Sequence, residues 1–84
     1  MNTFEIDFAN VNGKQEAHEL IASVLSFPCY YGHNLDALYD CLREIRPCSI
    51  RLKNVSALGE YGESLVEVFQ DAATDRSGKI EILL

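Results

Sequence analysis

The residues best suited to chemistry in this 84-residue chain are its carboxylates, two histidines and three cysteines. His18 and His33 lie on different segments, and neither belongs to a known nucleophile motif. A Cys29–His33 pair could attack a substrate only if its surroundings also lowered the pKa of the thiol. The chain has no Gly-rich phosphate loop, no H-E-x-x-H and no C-x-x-C. The sequence therefore predicts a protein that is not an enzyme.

The cysteines indicate neither a disulfide framework nor a metal site. Cys29, Cys41 and Cys48 form an odd set with the spacing C-x11-C-x6-C. A disulfide framework normally uses an even number, and metal ligation favours closely spaced pairs. We expect reduced thiols packed as small apolar side chains, and no bound metal or cofactor.

The charge balance narrows the possible partners. Thirteen acidic residues against seven basic ones give a net charge of −6, which argues against direct binding of nucleic acid and permits a basic protein partner. No segment reaches the length of a membrane span, and the first ten residues do not resemble a secretory signal. We expect a cytoplasmic protein that makes no contact with membranes.

One cluster of carboxylates follows a pair of tyrosines, in the stretch "YYGHNLDALYDCL". Asp36 and Asp40 are four residues apart and share one helical face, with Glu44 one turn further on. Like charges at this spacing destabilise a helix by about 0.2–0.5 kcal/mol. The helix dipole favours Asp36 in the first turn but gives no such benefit to Asp40.

Two readings of this face remain open. Arg43 could neutralise Asp40 across one turn, and such exposed pairs contribute little to stability. Alternatively, an exposed Tyr39 beside the acids would form a recognition surface, with a rigid aromatic anchor among steering charges.

A second acidic stripe follows the last predicted helix. The segment from Asn54 to Asp75 contains no Lys or Arg, so no cation within the helix relieves the repulsion. A solvated face explains the two acids at the start of the helix, where the dipole favours them, but not Asp71 and Asp75 near its end. The stripe, spaced 3, 4, 4 and 4 residues apart, consists of Glu60, Glu63, Glu67, Asp71 and Asp75.

The elements that would position these residues alternate in type. Pro28 and Pro47 each follow a helical pattern, and Asn34 suits the N-cap of the middle helix. The order β-α-α-β-α-β predicts one α/β domain over residues 1–84, with a three-stranded parallel sheet and three to four helices. Its strands are predicted at 3–8, 49–53 and 79–84, and its helices at 14–25, 34–45 and 60–74, with a short turn or helical piece at 55–59.

The chain resembles the barstar family of intracellular ribonuclease inhibitors. The resemblance is carried by "LSFPCYYGHNLDALYDCL", by "GESLVEVFQDA" and by the closing "IEILL", and it extends over nearly the whole chain. It implies a three-layered α/β domain whose loop and following helix plug the active site of a ribonuclease.

The resemblance also implies roles for individual residues. Asp40 would enter the pocket for RNA phosphate, and Asp36 would hydrogen-bond the nuclease beside it. Tyr30 would pack on a catalytic histidine, while Gly32 and Tyr39 would line the contact. The full predicted partner-binding set is Tyr30, Tyr31, Gly32, Asn34, Asp36, Tyr39, Asp40, Glu44 and Asp71.

The implied partner is a basic ribonuclease, barnase-like or a contact-dependent toxin nuclease, bound by a monomer in a 1:1 complex. The chain would then act as an immunity protein that neutralises a toxin. Tyr39 stands where the family's best-known member has tryptophan, His33 replaces an acid, and Asp71 replaces a glutamate, so the target stays open. The alternatives are an interaction adaptor and an acidic mimic of nucleic acid that binds another basic protein.

Overall fold

The computed structural model describes residues 2–28 and 31–84. Three strands and three α-helices alternate in the predicted order, and a 3₁₀ helix at Val55–Leu58 precedes the last α-helix. The strands are β1 (Asn2–Asp7), β2 (Cys48–Lys53) and β3 (Ile80–Leu83), and the helices are α1 (Lys14–Leu25), α2 (Leu35–Leu42) and α3 (Glu60–Asp75).

The strands form a parallel sheet in the order β1-β2-β3. In its register Ile6 is opposite Leu52, and Ile50 lies between Phe4 and Ile82. The α1–α2 segment connects the first two strands and α3 connects the last two, because parallel neighbours require long crossovers. The predicted α/β class and parallel sheet are confirmed.

Only one face of the sheet is covered by helices. Along β2, Cys48, Ile50 and Leu52 are buried, whereas the alternate Arg51 and Lys53 are exposed. Their registered neighbours on β1, Glu5 and Asp7, are exposed as well. The domain therefore has two layers, and the three layers that the resemblance implied are wrong. A sheet buried on both faces would need apolar residues at consecutive positions of its central strand.

The core lies between the covered face and the three helices. Each helix contributes a buried apolar stripe, and the largest fully buried side chains include Phe8 from the turn after β1 and Phe69 from α3. His18 is the buried polar residue among them.

Helix α2 ends earlier than its sequence pattern predicts. The pattern extends to Ile45, but the helix ends at Leu42, and residues 43–45 form a turn. Arg76 reaches from the end of α3 and donates hydrogen bonds to the carbonyl oxygens of Leu42 and Ile45. These carbonyls lack partners within the helix, so a side chain distant in sequence caps α2.

Candidate partner-binding site

Residues 31–34 form a loop, the contact loop, that leads into α2. Its left-handed residue is His33, with φ 52°. A glycine often provides the freedom to turn, but Gly32 is not among the residues with positive φ. Gly32 is exposed, and the absence of a side chain there leaves the backbone of the contact loop accessible.

Asn34 fixes the junction between the contact loop and α2. Its Oδ1 accepts a hydrogen bond from the N–H of Ala37 at 2.8 Å, as the N-cap prediction requires. Its Nδ2 donates to the carbonyl oxygen of Gly32 at 3.1 Å. One side chain therefore satisfies the start of the helix and also holds the contact loop against it.

The two aspartates of α2 are exposed and have no cation partner among residues 2–28 and 31–84. The ion pair found in that part of the chain joins Lys53 to Glu5 on the sheet, at 3.7 Å. Arg43 does not neutralise Asp40, and its guanidinium carbon instead lies 5.8 Å from the centre of the Tyr39 ring. The carboxylates of Asp36 and Asp40 are thus available to an external cation.

Tyr39 is half-buried, which differs from the exposed ring that the sequence suggested. Its partly buried ring packs against the hydrophobic core, and the guanidinium of Arg43 lies over the ring.

The neighbouring Cys41 is not an activated thiol. Burial raises its pKa, and the carboxylates of Glu44 and Asp40 raise it further.

Tyr31 lies inside the domain, with 5% of its surface exposed. Its ring packs against Phe27, with ring centres 5.0 Å apart, and against His33 at 5.2 Å. Burial raises the pKa of its hydroxyl, which lies 2.6 Å from Nδ1 of His18. Tyr31 therefore shapes the contact loop from beneath and offers a partner little surface. Tyr30 lies outside the described residues.

The structure adds two residues that sequence reasoning did not assign to the site. His18 on α1 is fully buried, and its Nε2 lies 2.5 Å from the hydroxyl of Tyr61 on α3. Burial lowers the pKa of His18, and the nearby His33 lowers it further. The available signal in the sequence was a histidine at a core position of α1, which needs polar partners.

Two further predicted residues, Glu44 and Asp71, lie outside α2. Glu44 is exposed in the turn after α2, not on the helix, because α2 ends at Leu42. Asp71 is exposed on α3, a helix that packs against α2. Their roles stay predictions. The predicted stripe of five acids on α3 is exposed along its whole length.

The other surface features of the described residues offer less. A groove lined by Leu52, Val55, Val66 and Leu84 is mostly apolar and has no cluster of charged groups directed into it. In the part of the chain that the structure covers, no three His, Cys, Asp or Glu side chains are grouped to hold a metal ion. No described helix is long and apolar enough to cross a membrane.

The fold and site define a class, namely a small two-layer α/β domain that displays an acidic helix and a preceding loop held by side-chain hydrogen bonds. The family model described as "Barstar (barnase inhibitor)" matches residues 1–84. A Bacillus subtilis (strain 168) protein named "Putative ribonuclease inhibitor YrdF" is 36% identical over 84 residues, covering 93% of this chain and 89% of that protein. The chain belongs to the barstar family.

Proposed function

We propose that this protein inhibits a basic ribonuclease by binding over its active site with the contact loop and α2. The observation that carries the proposal is the pair Asp36 and Asp40, exposed on one helix and unpaired within the described residues. The barstar family and the name of the Bacillus subtilis relative support a ribonuclease as the class of partner.

The energetics favour a charged partner over a structural role for these acids. Within the free protein the pair costs about 0.2–0.5 kcal/mol of helix stability. A nuclease site that binds RNA phosphate contains cationic side chains, and a carboxylate can accept short, charge-assisted hydrogen bonds from them. Removing one member of such a buried pair costs roughly 3–5 kcal/mol, because the other charge remains buried and unpaired.

The remaining assignments extend the proposal. Asp40 occupies the phosphate position, Asp36 binds beside it, and Tyr30, Gly32 and Tyr39 line the contact. Asn34 and Tyr31 hold the contact loop in shape, and Glu44 and Asp71 add acidic contacts at the edge. The protein acts as a monomer in a 1:1 complex, in the cytoplasm of the producing cell, without catalysis or a cofactor. A toxin nuclease is the proposed target.

The test compares Asp40→Asn with Asp75→Asn, two neutralisations of exposed aspartates on different helices. Each variant is used to capture proteins from the source organism, and each captured nuclease is purified and assayed for RNA cleavage against increasing inhibitor. We expect wild type and Asp75→Asn to capture a basic ribonuclease and to abolish cleavage at one equivalent, and Asp40→Asn to lose both activities.

The acidic stripe of α3 supports the rival proposal, a mimic of nucleic acid. Its five exposed carboxylates have no cation partner within the described residues. A double variant, Glu63→Gln with Glu67→Gln, separates the two functions. If this variant loses the partner while Asp40→Asn keeps it, the partner binds α3 and the inhibitor proposal is wrong.

A further inference from the structure

His18 connects three segments that are distant in sequence. It lies on α1, its Nδ1 contacts the Tyr31 hydroxyl of the contact loop, and its Nε2 contacts the Tyr61 hydroxyl of α3. The ring is fully buried, and no buried side-chain nitrogen or oxygen in the described residues lacks a hydrogen-bond partner. The contact loop is thus fastened to the body of the domain through this imidazole.

This arrangement fits a neutral imidazole. A neutral ring has one N–H and one lone pair, so it donates to one tyrosine hydroxyl and accepts from the other. A protonated ring has two N–H donors and no acceptor. The hydroxyl that had donated would then lose the imidazole as its acceptor, and for Tyr31, with 5% of its surface exposed, this leaves a buried donor unsatisfied.

The surrounding groups do not stabilise a positive charge on His18. The other histidine, His33, faces it from the contact loop with ring centres 6.4 Å apart, and Tyr31 and Tyr61 face it from the contact loop and α3. Nζ of Lys14 lies 5.0 Å from the centre of the Tyr61 ring. Lys14 also borders a cleft that is lined by Asp36. On α2, Cys41 raises the pKa of the Tyr31 hydroxyl and is not among the groups that shift the pKa of His18.

We propose that neutral His18 is the positioning residue that holds the contact loop in the shape it presents to its partner, and that proton uptake releases the contact loop. Release is a property of the free protein. Its consequence, weaker binding of the ribonuclease in mildly acidic solution, rests on the proposed function. The protein would then bind its partner most tightly at neutral pH or above.

The chain has two histidines, which makes a matched pair of variants possible. His18→Gln retains a donor and an acceptor for the two hydroxyls but cannot titrate, whereas His33→Gln removes the more accessible ring and leaves His18 in place. Amide hydrogen exchange in the contact loop is measured at Tyr31, whose N–H donates to the Pro28 carbonyl oxygen at 3.0 Å, between about pH 7.5 and pH 5 and corrected for intrinsic rates. The histidine C2–H resonances are followed over the same range.

We expect protection of the Tyr31 amide in wild type and in His33→Gln to fall by up to about tenfold for each pH unit below 6.5, the ordinary histidine pKa. In His18→Gln the protection stays constant. Equal acid-induced loss in His18→Gln, or full protection of wild type at pH 5, overturns the proposal. If His18→Gln does not fold, His33→Gln decides. The acid-induced loss of protection must persist in His33→Gln, and a loss that disappears with His33 overturns the proposal.

The binding consequence is measured with the purified ribonuclease from the capture experiment, wild type against His18→Gln at both pH values, so that titrations of the nuclease cancel. We expect the affinity of wild type to fall more steeply in acid than that of His18→Gln. Equal pH dependence overturns the role of His18 in binding. If no nuclease is captured although the contact loop opens in acid, the proposed function fails and the positioning role stands.

Discussion

Nη1 of Arg76, the residue after α3, donates a hydrogen bond at 3.0 Å to the carbonyl oxygen of Leu42, the last residue of α2. The same nitrogen also donates to the carbonyl oxygen of Ile45. The C-terminus of a helix carries partial negative charge, so a guanidinium there satisfies free carbonyls and complements the dipole. This contact links the acidic helix of the site to the end of α3.

Arg76→Met should therefore destabilise the domain by about 1.5–3 kcal/mol, the usual value for hydrogen bonds to a charged group. The expected loss is a lower urea midpoint with an unchanged slope, because the folded state remains compact. Arg46→Met, at an exposed arginine near the same turn, is the control and should change stability by less than about 0.5 kcal/mol. Equal effects of both substitutions would contradict the capping role of Arg76.

Gly62→Ala should destabilise the domain by about 1–3 kcal/mol through overpacking. A Cβ atom built at Gly62 would lie 2.3 Å from the carbonyl oxygen of Val55, and backbone cannot move aside cheaply. Thermal unfolding measures the effect, with Gln70→Ala, at an exposed position of the same helix, as the control. A melting temperature of Gly62→Ala equal to that of wild type would show that α3 and the 3₁₀ helix approach less closely.

The Asn34 side chain makes two separable contributions, one to the N-cap of α2 and one to the shape of the contact loop. Asn34→Ala removes the N-cap of α2 and should cost about 0.5–2 kcal/mol in the free energy of unfolding. Asn34→Asp keeps an oxygen for the Ala37 N–H but loses the donor to the Gly32 carbonyl. We expect Asn34→Asp to unfold near the wild-type midpoint while its contact-loop amides exchange faster. Equal destabilisation by both variants would contradict this division.

Asp40→Asn should leave the fold intact and raise its stability by about 0.2–0.5 kcal/mol, because repulsion with Asp36 is relieved. The gain should shrink as salt rises, since exposed charges are screened. Chemical denaturation at low and high salt measures this effect. If Asp40→Asn is instead less stable than wild type, Asp40 has a structural partner. The proposal that Asp36 and Asp40 bind a ribonuclease would then lose its main support.

Stability should fall in mild acid because of His18. The folded-state pKa of His18 is lowered from 6.5 by burial first and then by His33, so the unfolded chain binds the proton more readily. The contribution is fully present above about pH 6.5 and is lost as the pH falls from there through the lower folded-state pKa. Urea unfolding at a series of pH values measures it.

The matched variant for this prediction is His18→Gln, whose stability should change less between neutral pH and pH 5 than that of wild type. Measurements above pH 5 separate the contribution of His18 to stability from that of Asp7. Its pKa is lowered from 3.8 by the Asn54 side chain and then by the Ala9 amide, so its contribution is lost only at lower pH. An equal slope in both proteins would assign the acid sensitivity to other groups.

Local sequence signals were sufficient for most of the fold. Helix α1 has its predicted bounds, and the Asn34 cap is present with the expected bond. The alternation of apolar and polar residues in β2 predicted a strand, because a period-two pattern depends only on adjacent residues. The same alternation also indicates a sheet with one covered face, so the third layer implied by the resemblance was the weaker inference.

The sequence by itself determined the element order, because strand and helix periodicities depend on neighbours within a few residues, and its long helical crossovers predicted the parallel sheet. The tertiary structure decided between the two readings of α2, since Arg43 lies over the Tyr39 ring and does not neutralise Asp40. Only the tertiary structure decided that Arg76 ends α2, that His33 and not Gly32 makes the left-handed turn, and that His18 joins Tyr31 to Tyr61. These last contacts span 13 and 43 residues. No local pattern encodes them, because packing of α1 and α3 on one sheet face brings their side chains together.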